Sequence, residues 1–319
     1  MLLPAAVVTG AFFFSEKFGE AAAANAVLQI AWFAVIAHIP AFKTGRMSYV
    51  DIAWPWGLTI LGSLSFIYGK SNFFTTFNPW NRIDLVSLAY LFAGLRMGYG
   101  ANMMLQKGFF NKEFPRYLFQ KRRWAKRGIT DENSWLYKIE MQKEIFVQCL
   151  CNTGILASPL LLQAFGYLES DTPLTFLEIF GWLMWVSSLA IEHIADIQKN
   201  KFALQCKRDG IKNAVCNVGL WKYSRHPNYF GEWMVWNSLC LTSIPSLIAM
   251  WKEPDELMLL KLLLTTSLIL VSYGMYVCLV YYTGAIPAEY YSLQKRPMYA
   301  DYQKSVNMFF PGPPKMHAL

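Results

Sequence analysis

The chain has 319 residues, of which 55% are hydrophobic and only 16% are charged. Soluble domains carry about 25% charged residues. The composition therefore excludes a disordered chain and argues against an ordinary water-soluble enzyme. The formal net charge is +8, which in many chains would point to nucleic acid. Its meaning here depends on where along the chain the charge lies.

Apolar windows of membrane-spanning length recur along the chain, since a span requires about 20 mostly apolar residues. Seven windows meet this requirement: 21–42, 49–68, 83–104, 144–166, 173–196, 229–250 and 258–283. The apolar stretch 1–14 is too short to span alone, and it lacks the basic start of a signal peptide. The pattern predicts a single all-α domain over residues 1–319, a polytopic membrane helix bundle with about seven transmembrane helices.

The excess positive charge lies on one side of these predicted spans. With seven spans, the loops on one side carry +16, those on the other side carry −3, and the spans carry −5. Under the positive-inside rule, the long loops and the C-terminus face the cytosol or a matrix-like compartment. The endoplasmic reticulum and the mitochondrial inner membrane both fit this orientation.

The largest basic cluster lies in the loop 105–143. It consists of Lys121, Arg122, Arg123, Lys126 and Arg127. One interpretation is a patch beside the membrane that binds anionic lipid. The other is a docking surface for other subunits of a membrane complex. Nucleic acid is not predicted as a partner, because no nucleic-acid-binding motif accompanies the charge.

Ionisable residues inside spans are costly, so each is a hypothesis of function. They are Asp51, Arg96, Glu192, Asp196 and Glu232. A carboxyl at position 51, neutral because it is buried, could donate a proton. A salt bridge from Asp51 to Arg96 is the alternative.

Glu192 and Asp196 are four residues apart and therefore share one helical face. They suit a polar pocket for the hydroxyls and amide of a cofactor, or else a helix end at the membrane surface. A metal site is not predicted, since no second histidine follows His193 at ligand spacing and no cysteine pair has zinc spacing.

The segment 219–232 concentrates polar side chains in one short turn before a span. Arg225 suits a phosphate because its guanidinium is planar and always charged. Asn228 and Tyr229 can bond an amide or a ribose hydroxyl. His226 precedes Pro227, which favours an extended backbone there.

Several short motifs follow one another along about residues 45–313. They are Asp51-x-x-Trp54-Pro55, Gly94-Leu95-Arg96, Phe114-Pro115-Arg116-Tyr117, Glu192-x-x-Ala195-Asp196-x-Gln198-x-x-x-Phe202, Gly219-Leu220-Trp221, Ser224-Arg225-His226-Pro227-Asn228-Tyr229-Phe230-Gly231-Glu232, Gly284-x-x-Pro287-x-Glu289, Arg296-Pro297-x-Tyr299-x-x-Tyr302 and Phe310-Pro311. This ordered set resembles the membrane steroid 5-alpha-reductase-like family. The wider superfamily includes sterol reductases and isoprenylcysteine methyltransferases.

The resemblance implies an all-helical membrane fold with a cofactor cavity on the cytosolic or matrix side. Reductase members bind NADPH there and reduce a carbon–carbon double bond conjugated to a carbonyl. Carried over residue by residue, the cofactor contacts are Glu192, Asp196, Tyr223, Arg225, His226, Asn228, Tyr229, Glu232, Arg296, Tyr299 and Tyr302. The proton donor of the family has no aligned counterpart, and Asp51 and Tyr99 are the catalytic candidates, with Tyr49 beside them.

Three functions are therefore compatible with the sequence. The first is an NADPH-dependent reductase of a sterol or another hydrophobic lipid. The second is an accessory subunit of a larger membrane assembly, such as a mitochondrial respiratory complex, that keeps the fold without catalysis or cofactor. The third is a methyltransferase that uses S-adenosylmethionine.

Overall fold

A computed structural model describes residues 2–13, 15–69, 78, 80–169 and 172–315. The backbone over these ranges is helical, and no strand occurs in them. The predicted fold class, an all-α polytopic helix bundle, is confirmed.

Thirteen α-helices follow one another along the described residues. They are α1 Leu2–Phe13, α2 Gly19–Phe33, α3 Ile39–Thr44, α4 Val50–Gly69, α5 Arg82–Gln106, α6 Pro115–Ala125, α7 Trp135–Leu150, α8 Ser158–Phe165, α9 Phe176–Arg208, α10 Pro227–Lys252, α11 Met258–Val277, α12 Ala285–Lys295 and α13 Tyr299–Ser305. Short π-helical segments join α2 to α3, α7 to α8, and α11 to the loop before α12.

Six helical stretches in the described chain are long and apolar enough to cross a membrane. They are Gly19–Thr44, Val50–Gly69, Trp135–Phe165, Phe176–Arg208, Pro227–Lys252 and Met258–Lys295. The protein is thus an integral membrane protein, and six of the seven predicted windows fall on these stretches. The remaining window, 83–104, lies in α5 but is not one of the six. The odd number of spans and the orientation derived from it stay predictions.

The chain forms two compact units. Unit 1 consists of Met1–Phe180 and Leu239–Val271, and unit 2 consists of Gly181–Ser238 and Ser272–Leu319. The boundaries between them fall within α9, α10 and α11.

In unit 1, α4 and α5 pack closely because glycines line their contact. A Cβ added at Gly94 would lie 2.6 Å from the amide nitrogen of Thr59 and 2.7 Å from the carbonyl oxygen of Pro55. A Cβ at Gly62 would lie 2.9 Å from the backbone of Ser87. Small residues let two helix backbones approach in a membrane, where apolar burial alone does not drive helices together.

The basic segment after α5 is held within unit 1 by acidic side chains. The Glu113 carboxylate accepts hydrogen bonds from the backbone N–H groups of Met47 and Ser48, at 2.9 and 3.0 Å. Lys121 lies 3.0 Å from the same carboxylate, and Arg127 lies 3.3 Å from Glu140. Two cations of the predicted basic cluster therefore have partners within this protein.

Replacement of Gly94 by alanine should destabilise the protein by about 1–3 kcal/mol, because the added methyl group meets backbone atoms that cannot rotate away. Gly100→Ala on the same helix is the matched control, since a Cβ there meets nothing within 4 Å. The control should be neutral or slightly stabilising, because alanine favours the helix. Thermal unfolding in detergent measures both, and equal melting temperatures would contradict the close approach of α4 and α5.

Candidate cofactor site

A cavity of about 310 Å³ lies wholly within unit 2. Its walls come from the C-terminal part of α9, the loop 209–218, the turn 219–226, α12 and α13. This volume is at the lower end of the range of ligand pockets, ~300–1,000 Å³, and suits one half of a dinucleotide. Five of the eleven predicted cofactor residues line it: Arg225, His226, Arg296, Tyr299 and Tyr302.

The turn 219–226 is held against α9 by its first residues. Gly219 has a left-handed backbone with φ of 54°, and a Cβ there would lie 2.4 Å from the Gln198 side chain. Gln198 accepts a hydrogen bond from the Leu220 N–H at 2.8 Å. The Trp221 indole N–H donates to the carbonyl of Ala195 at 2.9 Å. Glycine at position 219 thus allows the chain to pass close to the α9 side chain that fixes it.

The Arg225 guanidinium is held by groups of this chain. Its Nε and Nη2 donate to the two carboxylate oxygens of Glu289, at 2.6 and 3.1 Å. Its Nη1 donates to the carbonyls of Gln303, at 2.9 Å, and Val306. Both side chains of the ion pair are buried. Four of the five N–H groups of a guanidinium are therefore used inside the protein.

Glu289 also binds His226 and Gln303. The Nε2 of His226 lies 3.1 Å from one carboxylate oxygen, and the Gln303 side chain donates to the other at 2.6 Å. The His226 ring stacks in parallel on Tyr229, with centroids 5.2 Å apart. Burial lowers the pKa of His226 below its usual value, although the hydrogen bond with Glu289 opposes this. The imidazole is therefore neutral at pH 7 and donates its Nε2 proton to Glu289.

The C-terminal segment completes the wall on the side of the turn. Tyr302 donates its hydroxyl proton to the carbonyl of Trp221 at 2.5 Å. The Arg225 N–H donates to Asn307 at 2.9 Å, and the Ser224 hydroxyl donates to Phe309 at 2.9 Å. Burial raises the pKa of Tyr302 well above its usual value, so this phenol keeps its proton.

The charge of the lining is positive. Its ionised side chains are Lys199, Arg225, Lys295 and Arg296, and no carboxylate occurs among the described lining residues. Lys199 lies over the Trp221 ring, with its Nζ 4.4 Å from the ring centroid. Aromatic walls are contributed by Phe202, Trp221, Tyr299 and Tyr302. An anionic ligand with a flat ring suits such a lining.

Three residues predicted for the cofactor lie in unit 2 without lining this cavity. The Asn228 amide donates to Asp196 at 3.0 Å. Glu192 is buried, and a Cβ at Gly231 would lie 2.8 Å from its amide nitrogen. These residues therefore lie where α9 and α10 pack against each other.

The other predicted residues outside the lining have local roles. Glu232 accepts a hydrogen bond from the Trp236 indole at 2.9 Å, and Tyr229 stacks on His226. Tyr223 has an exposed side chain, and its carbonyl accepts from the Gly312 N–H at 3.0 Å.

The predicted catalytic residues Asp51 and Tyr99 lie in unit 1. The Asp51 carboxylate is 2.8 Å from Arg116 and accepts a hydrogen bond from the Tyr117 hydroxyl at 2.8 Å. A cation, Arg116, therefore lies beside Asp51. The role of Asp51 as a proton donor stays a prediction. Tyr99 is 67% exposed, and its catalytic role stays a prediction.

Glu289, Lys199 and Lys295 are the site residues that sequence reasoning missed. Glu289 belongs to one of the quoted motifs, but the predicted last span ends before it, so its charge was not counted as intramembrane. A carboxylate inside the apolar stretch Met258–Lys295 was the available signal. Lys199 lies three residues after Asp196, and the sequence gives no signal of its role beyond its charge. In the described part of the chain, no group of three or more His, Cys, Asp or Glu side chains could hold a metal.

The fold is that of an integral membrane helix bundle, with a cavity in unit 2. The chain belongs to the DUF1295 family, whose model, described as "Protein of unknown function (DUF1295)", matches residues 37–306. No curated protein and no solved structure matches the chain.

Replacement of Glu289 by glutamine should destabilise the protein by about 3–5 kcal/mol, because it leaves the buried Arg225 charge without its counterion. Asp301→Asn is the control, since Asp301 pairs with Lys304 at the exposed surface and such pairs contribute about 0–1 kcal/mol. Denaturant or thermal unfolding in detergent measures both variants. A Glu289→Gln protein as stable as the wild type would contradict a central role for this ion pair.

Stability should decrease as the pH falls below about 6.5, because unfolded histidine binds a proton there while the folded state disfavours the His226 imidazolium. His226→Gln should reduce this slope, and His193→Gln, which replaces an exposed histidine, should leave it unchanged. Melting temperatures between about pH 7.5 and pH 5 measure the slope. An identical pH dependence in wild type and His226→Gln would show that another group carries the effect.

Proposed function

We propose that this protein is an NADPH-dependent membrane reductase that acts on a carbon–carbon double bond conjugated to a carbonyl in a sterol or another lipid. The observation that carries the proposal is the cavity of unit 2, which four cationic side chains and several aromatic rings line, with no carboxylate among the lining residues that the structure describes. The resemblance of the chain to steroid 5-alpha-reductase-like proteins supports the same cofactor.

The residues present fit this cofactor on electrostatic grounds. NADPH carries a diphosphate and a further phosphate, so cations in the lining attract it. S-adenosylmethionine carries a sulfonium cation, which the same lining repels. The charge of the cavity therefore favours a reductase over a methyltransferase.

Bound NADPH would supply a hydride to the β-carbon of the double bond, and a proton from solvent would complete the reduction at the α-carbon. The side chains of the cavity would bind and orient the cofactor, since the cations would contact its phosphates and Phe202 would offer a flat surface to one of its rings. Glu289 and the C-terminal segment fix the turn that carries Arg225 and His226. A site so held keeps its geometry before the ligand arrives, which favours a reactive orientation.

An accessory role in a membrane complex is the competing function. Lys112 and Lys126 of the basic segment are exposed, as a docking surface requires. The two functions differ in what the isolated protein binds, so one purification separates them.

The protein purified in mild detergent should be stabilised by NADPH and not by S-adenosylmethionine, because a ligand that binds only the folded state stabilises it by mass action. At a concentration 100 times its Kd, the gain is about 2.7 kcal/mol. Thermal-shift titration measures it, and loss of reduced-nicotinamide absorbance with enone sterols or enoyl lipids measures turnover. A chain that binds no dinucleotide and always co-purifies with a complex would favour the accessory role.

A further inference from the structure

We infer that Lys199 and Lys295, together with Arg296, bind the phosphate groups of the ligand in the unit 2 cavity, and that Arg225 is a positioning residue. The inference deepens the proposed function and rests on its premise that the ligand is anionic. It assigns phosphate recognition to two lysines at positions that the family motifs do not specify, and it removes that role from the arginine of the most prominent motif.

Arg225 is poorly suited to bind a phosphate in this structure. Four of its N–H groups donate to Glu289, Gln303 and Val306. A phosphate could use the guanidinium as a fork only after these bonds break. Breaking them would leave the Glu289 carboxylate, which is buried, without its cation.

The remaining cations of the lining are held less tightly. Lys199 is attracted electrostatically by Asp196 on the same helix, and none of the ion pairs among the described residues includes Lys295 or Arg296. Arg296 donates from Nε to Ala214 at 3.0 Å and from Nη1 to Ser292 at 3.1 Å, which leaves its Nη2 group for a ligand. Lys199 contacts the face of Trp221, and its N–H donors on the side away from the ring can reach a ligand.

Three like charges around one cavity repel one another. The repulsion is relieved when an anion enters, and phosphate, with more than one negative charge, relieves it more than a carboxylate does. Two lysines supply point charges that suit a phosphate of any orientation. The apolar and aromatic remainder of the wall, which includes Phe202, Val215 and Trp221, suits an organic group attached to it.

Such a phosphate could belong to a nucleotide or to a lipid headgroup at the membrane surface. The two sources share the chemistry of a phosphate ester, and the experiment below separates them. The half-buried Phe202 ring of the lining favours the nucleotide, because a base stacks on an aromatic ring and an acyl chain gains nothing from its flat shape.

The test uses the full-length protein in nanodiscs of zwitterionic lipid, with calorimetric titration of NADPH and of inorganic pyrophosphate. Lys199→Gln and Lys295→Gln should each weaken binding of both probes on the order of tenfold, since each removes a charge-assisted hydrogen bond. Each should also reduce the dependence of Kd on salt. Lys201→Gln is the matched control, because Lys201 is exposed on the same helix and does not line the cavity.

The double variant Arg225→Gln, Glu289→Gln provides the second arm, because it removes the charge of Arg225 together with that of its counterion. It should lower the melting temperature, because glutamines cannot replace the two charge-assisted bonds between these side chains. Below that temperature its NADPH binding should keep the salt dependence of the wild type. Substitution of a residue that only supports the fold lowers the melting temperature without changing how Kd depends on salt. The salt dependence therefore separates loss of a ligand contact from loss of stability.

The outcomes are distinct for the inference and for the proposed function. Wild-type affinity and salt dependence in the Lys199→Gln, Lys295→Gln double variant would overturn the inference and leave NADPH binding intact. Loss of salt dependence in the Arg225→Gln, Glu289→Gln double variant would also overturn it. Binding of pyrophosphate without binding of NADPH, or binding that nanodiscs of anionic lipid compete away, would support the phosphate site and contradict the reductase. A wild type that binds neither probe would overturn both.

Discussion

The carboxylate of Glu289 is the group on which the geometry of unit 2 depends. It accepts four hydrogen bonds, two from Arg225 and one each from His226 and Gln303. These donors come from the turn before α10 and from α13, so one buried acceptor joins three segments that are distant in the sequence. A carboxylate buried in this way is stable only if its partners all stay in place, which makes the arrangement cooperative.

The sequence was sufficient for the class of fold, because the free energy of a membrane helix is set by local composition. Six predicted windows coincide with apolar helical stretches. The window 83–104 shows the limit of this reasoning: Asp84 and Arg96 reduce its apolar character, and whether such a helix spans depends on its neighbours rather than on its own residues.

The candidate site was predictable in part. The residues Arg225, His226, Arg296, Tyr299 and Tyr302 come from two motifs and meet at one cavity, as the family resemblance implies. Their individual roles were not predictable, because a guanidinium that binds phosphate and one that binds a buried carboxylate look the same in a sequence. The role of Lys199 was not predictable either, since a lysine near the end of a long helix looks the same in a sequence whether it faces solvent or a cavity.

The bonds from the turn 219–226 to residues 302–312 have a consequence for the order in which the protein is made. The turn leaves the ribosome well before Glu289, Tyr302 and Asn307, so its arginine has no counterion while the last membrane helices are being inserted. The cavity can form only after synthesis is nearly complete. A chain that stops shortly before Glu289 would therefore insert its earlier helices but lack this cavity, and its Arg225 guanidinium would lack the carboxylate that holds it.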